Sequence, residues 1–547
     1  MIVNGTNYSP ESLDVNPCSF IFQHADYRPH LPAIYYEGRT ISYVEIVERV
    51  RSFAAYLDDQ GVRQGDRVAY LGLNSTSFLF TMLASWWLGA VFQPLNFRLS
   101  ESELSQLLLQ GAPHTVVVEG PHLPVAKQIY GIERHHVVIV DTDEAAPVSG
   151  RIPRYWHTMS QAQETDQTNV VRPRPMRMSD LALLLFTSGT TGLPKGVQLT
   201  SGNLFWNSFN VDTMVDSRPG DVTMVAAPMF HVGALNSFAI RALTRGNAVL
   251  VHRGFDPGKV LREIQEYKVA SAFLVPAQLE VMQAHPDFAE ADLTSMRSTI
   301  CAGAPVSQAL IRRYLEKGIN VQQAWGLTET APFATYLPAD MTTKKTGSCG
   351  FPMPFTEVKL VDTDTGEDIK EPGVAGEMWV RGPNVATGYW NNPESTQQAY
   401  TGGWFHSGDI GHRDEDGYYY VVDRLKDLII TGGENVYPAE VERILSEMDG
   451  VLSSAVVGVP DEKWGEVVVA VIQAEEGHEA PSLEEVRKHC ERFLARYKLP
   501  KKVVVVDEIF RNTAGKVDKV KTRKYVRDLF DEEHEPAETS VTHRETE

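Results

Sequence analysis

A loop rich in glycine and hydroxyl side chains, with one lysine, follows an apolar run in the first half of the chain. Its sequence is LLLFTSGTTGLPKG, residues 183–196, and the apolar run predicts a buried strand over 181–186. Glycines let the backbone approach a ligand closely, and hydroxyl groups, loop amides and an ammonium group suit a polyphosphate. A solvated surface loop stays open as the alternative for this loop alone. The residues that would bind phosphate are Thr187, Ser188, Gly189, Thr190, Thr191, Gly192 and Lys195.

Other polar residues along the chain suit a nucleotide and its metal ion. Asp409 stands in a glycine-flanked turn, where a carboxylate can accept hydrogen bonds from two ribose hydroxyls or cap its own loop. Arg424 could reach the same ribose or pair with a surface acid. Glu329 offers the carboxylate oxygen that Mg²⁺ prefers. The residue types alone leave these alternatives open.

Composition narrows the class of protein. The chain has 547 residues, a net charge of −20 and a pI of about 5.3, which argues against a nucleic-acid binder or a basic membrane-surface protein. Its four cysteines form no CxxC pair and fit a reducing compartment. No signal-peptide pattern is present, and the apolar run over 78–92 is shorter than the roughly 20 residues of a spanning helix. We expect a cytoplasmic enzyme without stable membrane insertion, and a buried helix at the apolar run.

The elements that must position these residues alternate between helix and strand. This alternation predicts an α/β fold with doubly wound, parallel sheets, followed from about Glu357 by a small β-rich unit. A helix that begins at Pro438, and a second over 482–497 that opens with the capping box of Ser482 and Glu485, belong to a small α+β domain. We predict a large N-terminal domain over 1–423, a hinge over 424–427, a mobile C-terminal domain over 428–530 and a disordered acidic tail over 531–547.

Six motifs in a fixed order make the chain similar to one known family. The glycine-rich loop is followed by CAGAP (301–305), QAWGLTET (323–330), WFHSGDIG (404–411), VVDRLKD (421–427) and NTAGKVDK (512–519). In this order and at these separations they resemble the adenylate-forming superfamily, and within it the acyl-CoA synthetases. The resemblance extends from about Ile41 to Lys524.

The resemblance implies a role for each motif. Trp325 would stack on adenine, Thr328 would bond the α-phosphate, and Glu329 with Thr190 would hold Mg²⁺. A lone histidine is more often structural, but the resemblance implies that His231 lies beside the acyl carboxylate. The resemblance also implies a CoA tunnel at Gly432 and Gly433, a glycine pair that would otherwise be a simple turn. The ATP site implied beyond the phosphate loop consists of Gly303, Ala304, Pro305, Ala324, Trp325, Gly326, Thr328, Asp409, Val421, Arg424 and Lys516. The acyl pocket implied consists of Phe205, Asn207, His231, Ala302, Gly303 and Gly326.

The resemblance also implies a two-step reaction. A carboxylate attacks the α-phosphate of ATP, pyrophosphate leaves, and the C-terminal domain then turns about Lys426 so that CoA can take the acyl group. Lys516 would bridge the carboxylate and the α-phosphate, with Thr328 and His231 as the other catalytic residues.

Several properties stay open at this point. The acceptor is CoA or, alternatively, a separate carrier protein, and a nucleotide-binding pseudoenzyme is the non-catalytic alternative. The acid is apolar, whether fatty, aryl or polycyclic. A homodimer is equally open.

Overall fold

The computed structural model describes residues 13–129, 132–135, 137–143, 145–165, 170–187, 194–303, 306–431, 434–461, 464–512 and 516–532. The chain divides into two compact units. The larger consists of Met1–Gly373, Met378–Ser407 and Arg413–Tyr420, and the smaller of Val374–Glu377, Gly408–His412 and Val421–Glu547. The predicted α/β class, with a large N-terminal unit and a smaller C-terminal one, is confirmed.

The first sheet of the larger unit has seven strands, and the glycine-rich loop connects the last two of them. All of its neighbours pair in parallel except the last two, which form an antiparallel hairpin around that loop. In spatial order the strands are His157–Thr158, Val137–Asp141, Thr115–Glu119, Arg67–Leu71, Val91–Leu95, Leu181–Thr187 and Lys195–Thr200. Its strands read as continuous apolar runs because parallel sheets of this kind are covered on both faces.

The second sheet has nine strands, with a parallel centre and antiparallel edges. In spatial order they are Phe351–Pro352, Phe333–Tyr336, Val321–Gly326, Ser298–Cys301, Val269–Leu274, Val222–Val225, Ala248–Val251, Pro32–Tyr36 and Arg39–Ser42. A third, β-rich segment forms the strands Asp368–Ile369, Glu357–Val361, Gly376–Arg381, Trp404–Arg413, Tyr400–Thr401 and Tyr419–Arg424. This segment corresponds to the small β-rich unit that the sequence predicts from about Glu357.

Helices cover the two large sheets. The α-helices of the larger unit are Pro17–Tyr27, Tyr43–Asp59, Thr76–Trp87, Glu101–Gly111, Leu123–Gln128, Ile132–His135, Ser201–Asp212, Val232–Ala234, Arg241–Thr244, Pro257–Glu266, Pro276–Ala284, Gln308–Glu316 and Pro393–Ala399. A π-helical turn over Leu235–Ile240 joins two of the shorter pieces. Within the part of the chain that the structure describes, no helix is long and apolar enough to cross a membrane.

The smaller unit packs three helices on one sheet. Its strands are Glu434–Val436, Ile429–Thr431, Gly465–Ala474 and Val451–Asp461, with Lys502–Val505 paired in parallel to Gly465–Ala474. Its helices are Pro438–Leu445, Leu483–Cys490 and Lys519–Glu532. Two apolar clusters, one on each face of the long Val451–Asp461 and Gly465–Ala474 pair, form its core.

Three sequence predictions differ from the structure in their extent. The helix predicted over 78–92 ends at Trp87, because Gly89 takes a left-handed conformation (φ 71°) and the chain continues as the strand Val91–Leu95. The helix opened by Ser482 ends at Cys490, and a short 3₁₀ turn follows over Arg496–Lys498. The last helix continues to Glu532, two residues into the predicted tail, whereas residues 533–547 lie outside the described residues.

A buried carboxyl group at the end of one strand makes stability depend on pH. Burial raises the pKa of Asp141 to about 6, although the Asp143 amide donates to Oδ1 at 3.0 Å, and Tyr70 donates to Oδ2 at 3.3 Å. The group binds a proton more tightly when folded than when unfolded, where its pKa is about 3.9. Its contribution to stability is therefore present at low pH and is lost as the pH rises through 6.

Asp141→Asn is expected to remove this pH dependence. In the wild type, the group should make the free energy of unfolding of the larger unit about 1.4 kcal/mol greater at pH 5 than at pH 7.5. Urea denaturation of both proteins at both pH values measures the difference. An identical pH dependence in the two proteins would contradict the assignment.

Candidate active site

The hairpin around the glycine-rich loop brings two predicted phosphate ligands opposite each other. Thr187 ends one strand, Lys195 begins the next, and the two residues are paired in register. The Thr187 hydroxyl lies 3.5 Å from the Lys195 carbonyl oxygen. The other predicted members of the loop, Ser188, Gly189, Thr190, Thr191 and Gly192, lie outside the described residues and stay predictions.

A tyrosine that the sequence analysis did not single out connects this hairpin to the predicted metal ligand. The Lys195 ammonium lies 5.1 Å from the ring centroid of Tyr389, a cation–π contact. The Tyr389 hydroxyl donates to Glu329 Oε1 at 2.9 Å. Burial and the negative charge of Glu329 raise the pKa of Tyr389, so the phenol keeps its proton and remains a donor. Lys195, Tyr389 and Glu329 thus form one connected group, which we call the tyrosine bridge.

The backbone around Tyr389 fixes this bridge from both sides. Trp390 donates its N–H to the Gly196 carbonyl at 2.7 Å, and Gln198 donates to the Gly388 carbonyl at 3.0 Å. On the other side, Ala386 donates to the carbonyl of Glu329 at 2.7 Å. One feature of the sequence could have pointed to Tyr389. It is the aromatic pair directly after a glycine in ATGYWNNP (386–393), a segment that fits no strand or helix pattern.

The predicted adenine residues lie at the ends of two adjacent strands. Ser298–Cys301 and Val321–Gly326 pair in parallel, with Cys301 opposite Gln323. The residues that follow, Ala302 and Gly303, therefore leave the sheet beside Ala324–Gly326, at the edge where ligands bind to open α/β sheets. Gly303 has a φ of 93°, and Ala304 and Pro305 lie outside the described residues.

Trp325 and Gly326 have different constraints at this edge. Trp325 is 7% exposed and packs in an apolar cluster with Ala334, Cys349 and Phe405. Gly326 is required by a close backbone approach, because a Cβ there would lie 1.9 Å from the Pro332 carbonyl oxygen. The chain therefore turns sharply after the strand.

The turn that follows presents Thr328 and Glu329. It is a single 3₁₀ turn, Thr328–Thr330. The Thr330 hydroxyl accepts the N–H of Leu327 at 2.8 Å and donates to the Pro332 carbonyl at 2.5 Å. Asn384 donates its amide to the Thr330 carbonyl at 2.8 Å, so the turn is held by groups outside itself.

The predicted acyl-pocket residues occupy different environments. Asn207 is fully buried, and its amide donates to the Ser237 hydroxyl at 3.4 Å, within the π-helical turn. His231 is exposed and directly precedes the short helix Val232–Ala234, which leads into that turn; its ring centroid lies 4.3 Å from that of Phe230. Phe205 is half-buried and contacts the rings of Trp206 and Phe209 on its own helix. π-helical turns often occur at functional sites, which favours this segment as part of the pocket.

In the smaller unit, the predicted ribose ligands form an ion pair. Arg424 Nε lies 2.5 Å from Asp409 Oδ1, and Asp409 is 4% exposed. Val421, on the strand that ends at Arg424, is 38% exposed, and Lys426 lies exposed in the following turn, Leu425–Asp427. The other two predicted residues of this region, Gly432 and Gly433, are outside the described residues.

Lys516 lies close enough to this pair for the charges to interact. Solvent reaches the residue, but nearby protein desolvates the ammonium and lowers the pKa of Lys516. The positive charge of Arg424 acts in the same direction, whereas Asp409 raises the pKa. The Lys516 N–H donates to Asn512 Oδ1 at 3.0 Å, and the Asn512 N–H donates back to the Lys516 carbonyl at 2.7 Å. We call the segment from Asn512 to Lys516, whose ends these two bonds join, the lysine loop.

Among the described residues, no group of three or more histidine, cysteine, aspartate or glutamate side chains could hold a metal by itself. The Glu329 carboxylate, oriented by Tyr389, is a hard oxygen ligand that fits a magnesium ion shared with phosphate oxygens.

Comparison with known proteins identifies the family of the chain. The model of the AMP-binding enzyme family matches residues 21–390, and that of the AMP-binding enzyme C-terminal domain matches residues 440–516. The chain is 41% identical to a feruloyl-CoA synthase of an Amycolatopsis species, over 92% of this chain and 98% of the relative. It is 39% identical to an indoleacetate–CoA ligase of Aromatoleum aromaticum, over 93% and 97%.

Solved structures give the same result. The o-succinylbenzoate CoA synthetase of Bacillus subtilis in complex with ATP and a magnesium ion has a TM-score of 0.81 and 29% identity, over 92% of this chain and 99% of that one. The chain therefore belongs to the AMP-binding, or adenylate-forming, enzyme family, and within it to the AMP-forming carboxylic acid–CoA ligases.

Proposed function

We propose that this ligase activates a carboxylic acid with an aromatic ring and transfers the acyl group to CoA. The observation that carries the adenylation chemistry is the tyrosine bridge, in which Lys195 contacts the ring of one tyrosine and Glu329 accepts a hydrogen bond from its hydroxyl. The aromatic acid is supported by the two relatives at 41% and 39% identity, whose named acids carry a ring. The cytoplasm is proposed as the site of action.

In the first step, residues of the chain hold the nucleotide and offset charge. Lys195 and the glycine-rich loop bind the phosphates, Asp409 with Arg424 holds the ribose, and Trp325 with Gly303 lines the adenine. Glu329 and Thr190 would hold Mg²⁺, which neutralises phosphate charge when bound. The carboxylate oxygen forms a bond to the α-phosphorus as the bond to pyrophosphate breaks, and His231 lines the space beside the acid.

Lys516 supplies the charge that this step needs. Its ammonium would bridge two anions, the attacking carboxylate and the α-phosphate, and stabilise the charge that builds between them. A lowered pKa reflects an ammonium that is less well solvated than in water, so an anionic partner gains more from it. In the second step the predicted C-terminal domain (428–530) would turn about Lys426. The thiolate of CoA, passing Gly432 and Gly433, would then attack the acyl carbonyl and release AMP.

The acid specificity is tested with a panel of acids. Phenylpropenoic and indole-acetic acids should give higher kcat/KM for AMP formation than straight-chain fatty acids of the same carbon number. CoA should be consumed in equal amount to AMP. A preference for the fatty acids would contradict the aromatic assignment, and AMP release without CoA thioester would favour a carrier protein as the acceptor.

Lys516→Ala is expected to separate the two half-reactions. Adenylation should fall by about 10²–10³-fold, since roughly 3–4 kcal/mol of electrostatic stabilisation is lost. Thioester formation from supplied acyl-adenylate should be spared. Pyrophosphate exchange and acyl-CoA formation measure the two steps, and an equal loss in both would disprove the role of Lys516.

Tyr389→Phe tests whether the tyrosine bridge orients the metal ligand. The variant keeps the ring beside Lys195 but removes the hydrogen bond to Glu329, so the half-saturating Mg²⁺ concentration should rise about tenfold. Titration of adenylation activity with Mg²⁺ at saturating ATP measures the shift. Tyr400→Phe is the matched control, because its hydroxyl donates to a backbone carbonyl, that of Ala386 at 2.7 Å. Equal shifts in both variants, or none in Tyr389→Phe, would contradict this orienting role.

A further inference from the structure

Asp423 in the smaller unit is a buried carboxylate with contacts on several elements. It is 7% exposed and directly precedes Arg424, whose N–H donates to Asp423 Oδ1 at 2.7 Å. The other oxygen, Oδ2, accepts the N–H of Ala439 at 2.6 Å. Ala439 belongs to the first turn of the helix Pro438–Leu445, where backbone N–H groups lack partners inside the helix. Asp423 therefore caps a helix that lies beyond the predicted hinge.

Lys519 connects the same carboxylate to the lysine loop. It is the first residue of the helix Lys519–Glu532 and lies three residues after Lys516 in the sequence. Its ammonium lies 3.7 Å from Asp423 Oδ1 and 3.2 Å from Glu442 Oε1, and its side chain is 13% exposed. Glu442 Oε1 also accepts the N–H of Val456 at 2.7 Å, so this carboxylate is fixed. Lys519 is thus held between two acids, in surroundings where water weakens the attraction little.

The next turn of that helix contacts the other end of the predicted hinge. Arg523 Nη2 lies 3.8 Å from Asp427 Oδ1. One helix therefore contacts the chain on both sides of Lys426: Lys519 contacts Asp423 before it, and Arg523 contacts Asp427 after it.

Because Lys426 lies between Asp423 and Asp427 in the sequence, a rotation of the backbone at Lys426 would break some of these contacts and keep others. A turn of the backbone at Lys426 moves every later residue relative to Asp423. Ala439 and Lys519 both come later, so both of their contacts with Asp423 have to break. The pair of Arg523 and Asp427 lies wholly on one side and is kept. The contacts of Asp423 hence belong to the arrangement seen in this structure, in which the charge of Lys516 interacts with those of Arg424 and Asp409.

We propose that Asp423 and Lys519 form a latch that holds the predicted C-terminal domain (428–530) in the arrangement for adenylation, and that the latch opens before CoA attacks. Both are positioning residues: they act through Lys516, and neither contacts the reacting atoms. This inference rests on the proposed hinge at Lys426 and on the proposed role of Lys516.

Lys519→Met tests the latch through the ratio of the two half-reactions. Pyrophosphate exchange should fall at least tenfold, while acyl-CoA formation from supplied acyl-adenylate stays within about twofold of the wild type. Lys519→Arg keeps the charge and should restore most of the exchange rate. Lys524→Met removes the same charge from an exposed position of the same helix and should change neither step.

Asp423→Asn supplies an independent variant, because the amide oxygen can still cap the helix while the charge is lost. If Asp423 and Lys519 act as one latch, the double variant Asp423→Asn/Lys519→Met should be no slower in pyrophosphate exchange than the slower single variant. Multiplying losses in the double variant, or equal losses in both half-reactions of Lys519→Met, would overturn the latch. A merely structural role would lower both steps together and would not be rescued by arginine.

Lys516→Ala distinguishes a failed latch from a failed mechanism. If Lys516→Ala loses adenylation selectively and Lys519→Met does not, the latch is wrong and the proposed role of Lys516 stands. If Lys516→Ala slows both steps equally, the proposed role of Lys516 is wrong, and with it the basis of the latch.

Discussion

The structure has to hold a few positive charges at fixed places in a chain whose net charge is −20. Its substrates are themselves anions, so each cation of the site has to be oriented without being neutralised. Lys195 lies against the ring of Tyr389, which attracts an ammonium but leaves its charge available to phosphate. Arg424 pairs with Asp409 through its Nε. Lys519 is different, since the buried carboxylate of Asp423 and the partly exposed carboxylate of Glu442 both lie beside its ammonium, and this suits the positioning role proposed for it.

Each unit brings together its own set of predicted site residues. In the larger unit the hairpin strand Lys195–Thr200, the turn Thr328–Thr330 and the segment around Tyr389 are joined by backbone hydrogen bonds. In the smaller unit, the strand that ends at Arg424 delivers Asp423 to a helix start and Arg424 to Asp409. Neighbouring residues on one strand thus have different tasks, because successive side chains point to opposite faces.

Much of the local structure follows from short-range rules. Pro438 begins its helix, Ser482 and Glu485 form the predicted capping box, and the apolar run before the glycine-rich loop forms the predicted strand. These rules failed where a helix ended, at Trp87 and at Cys490, because a left-handed glycine or a competing turn determines the end and apolar periodicity continues past it.

The sequence by itself determined the α/β class, the two-part organisation, the family and the order of the motifs, since each of these depends on residue types at short spacing. Only the tertiary structure decided which residues of separate motifs contact each other. Tyr389 meets Glu329 across 60 residues, and Lys519 meets Asp423 across the whole smaller unit. Such contacts depend on the order of strands in a sheet and on which faces are buried, and no local pattern of residues records either of them.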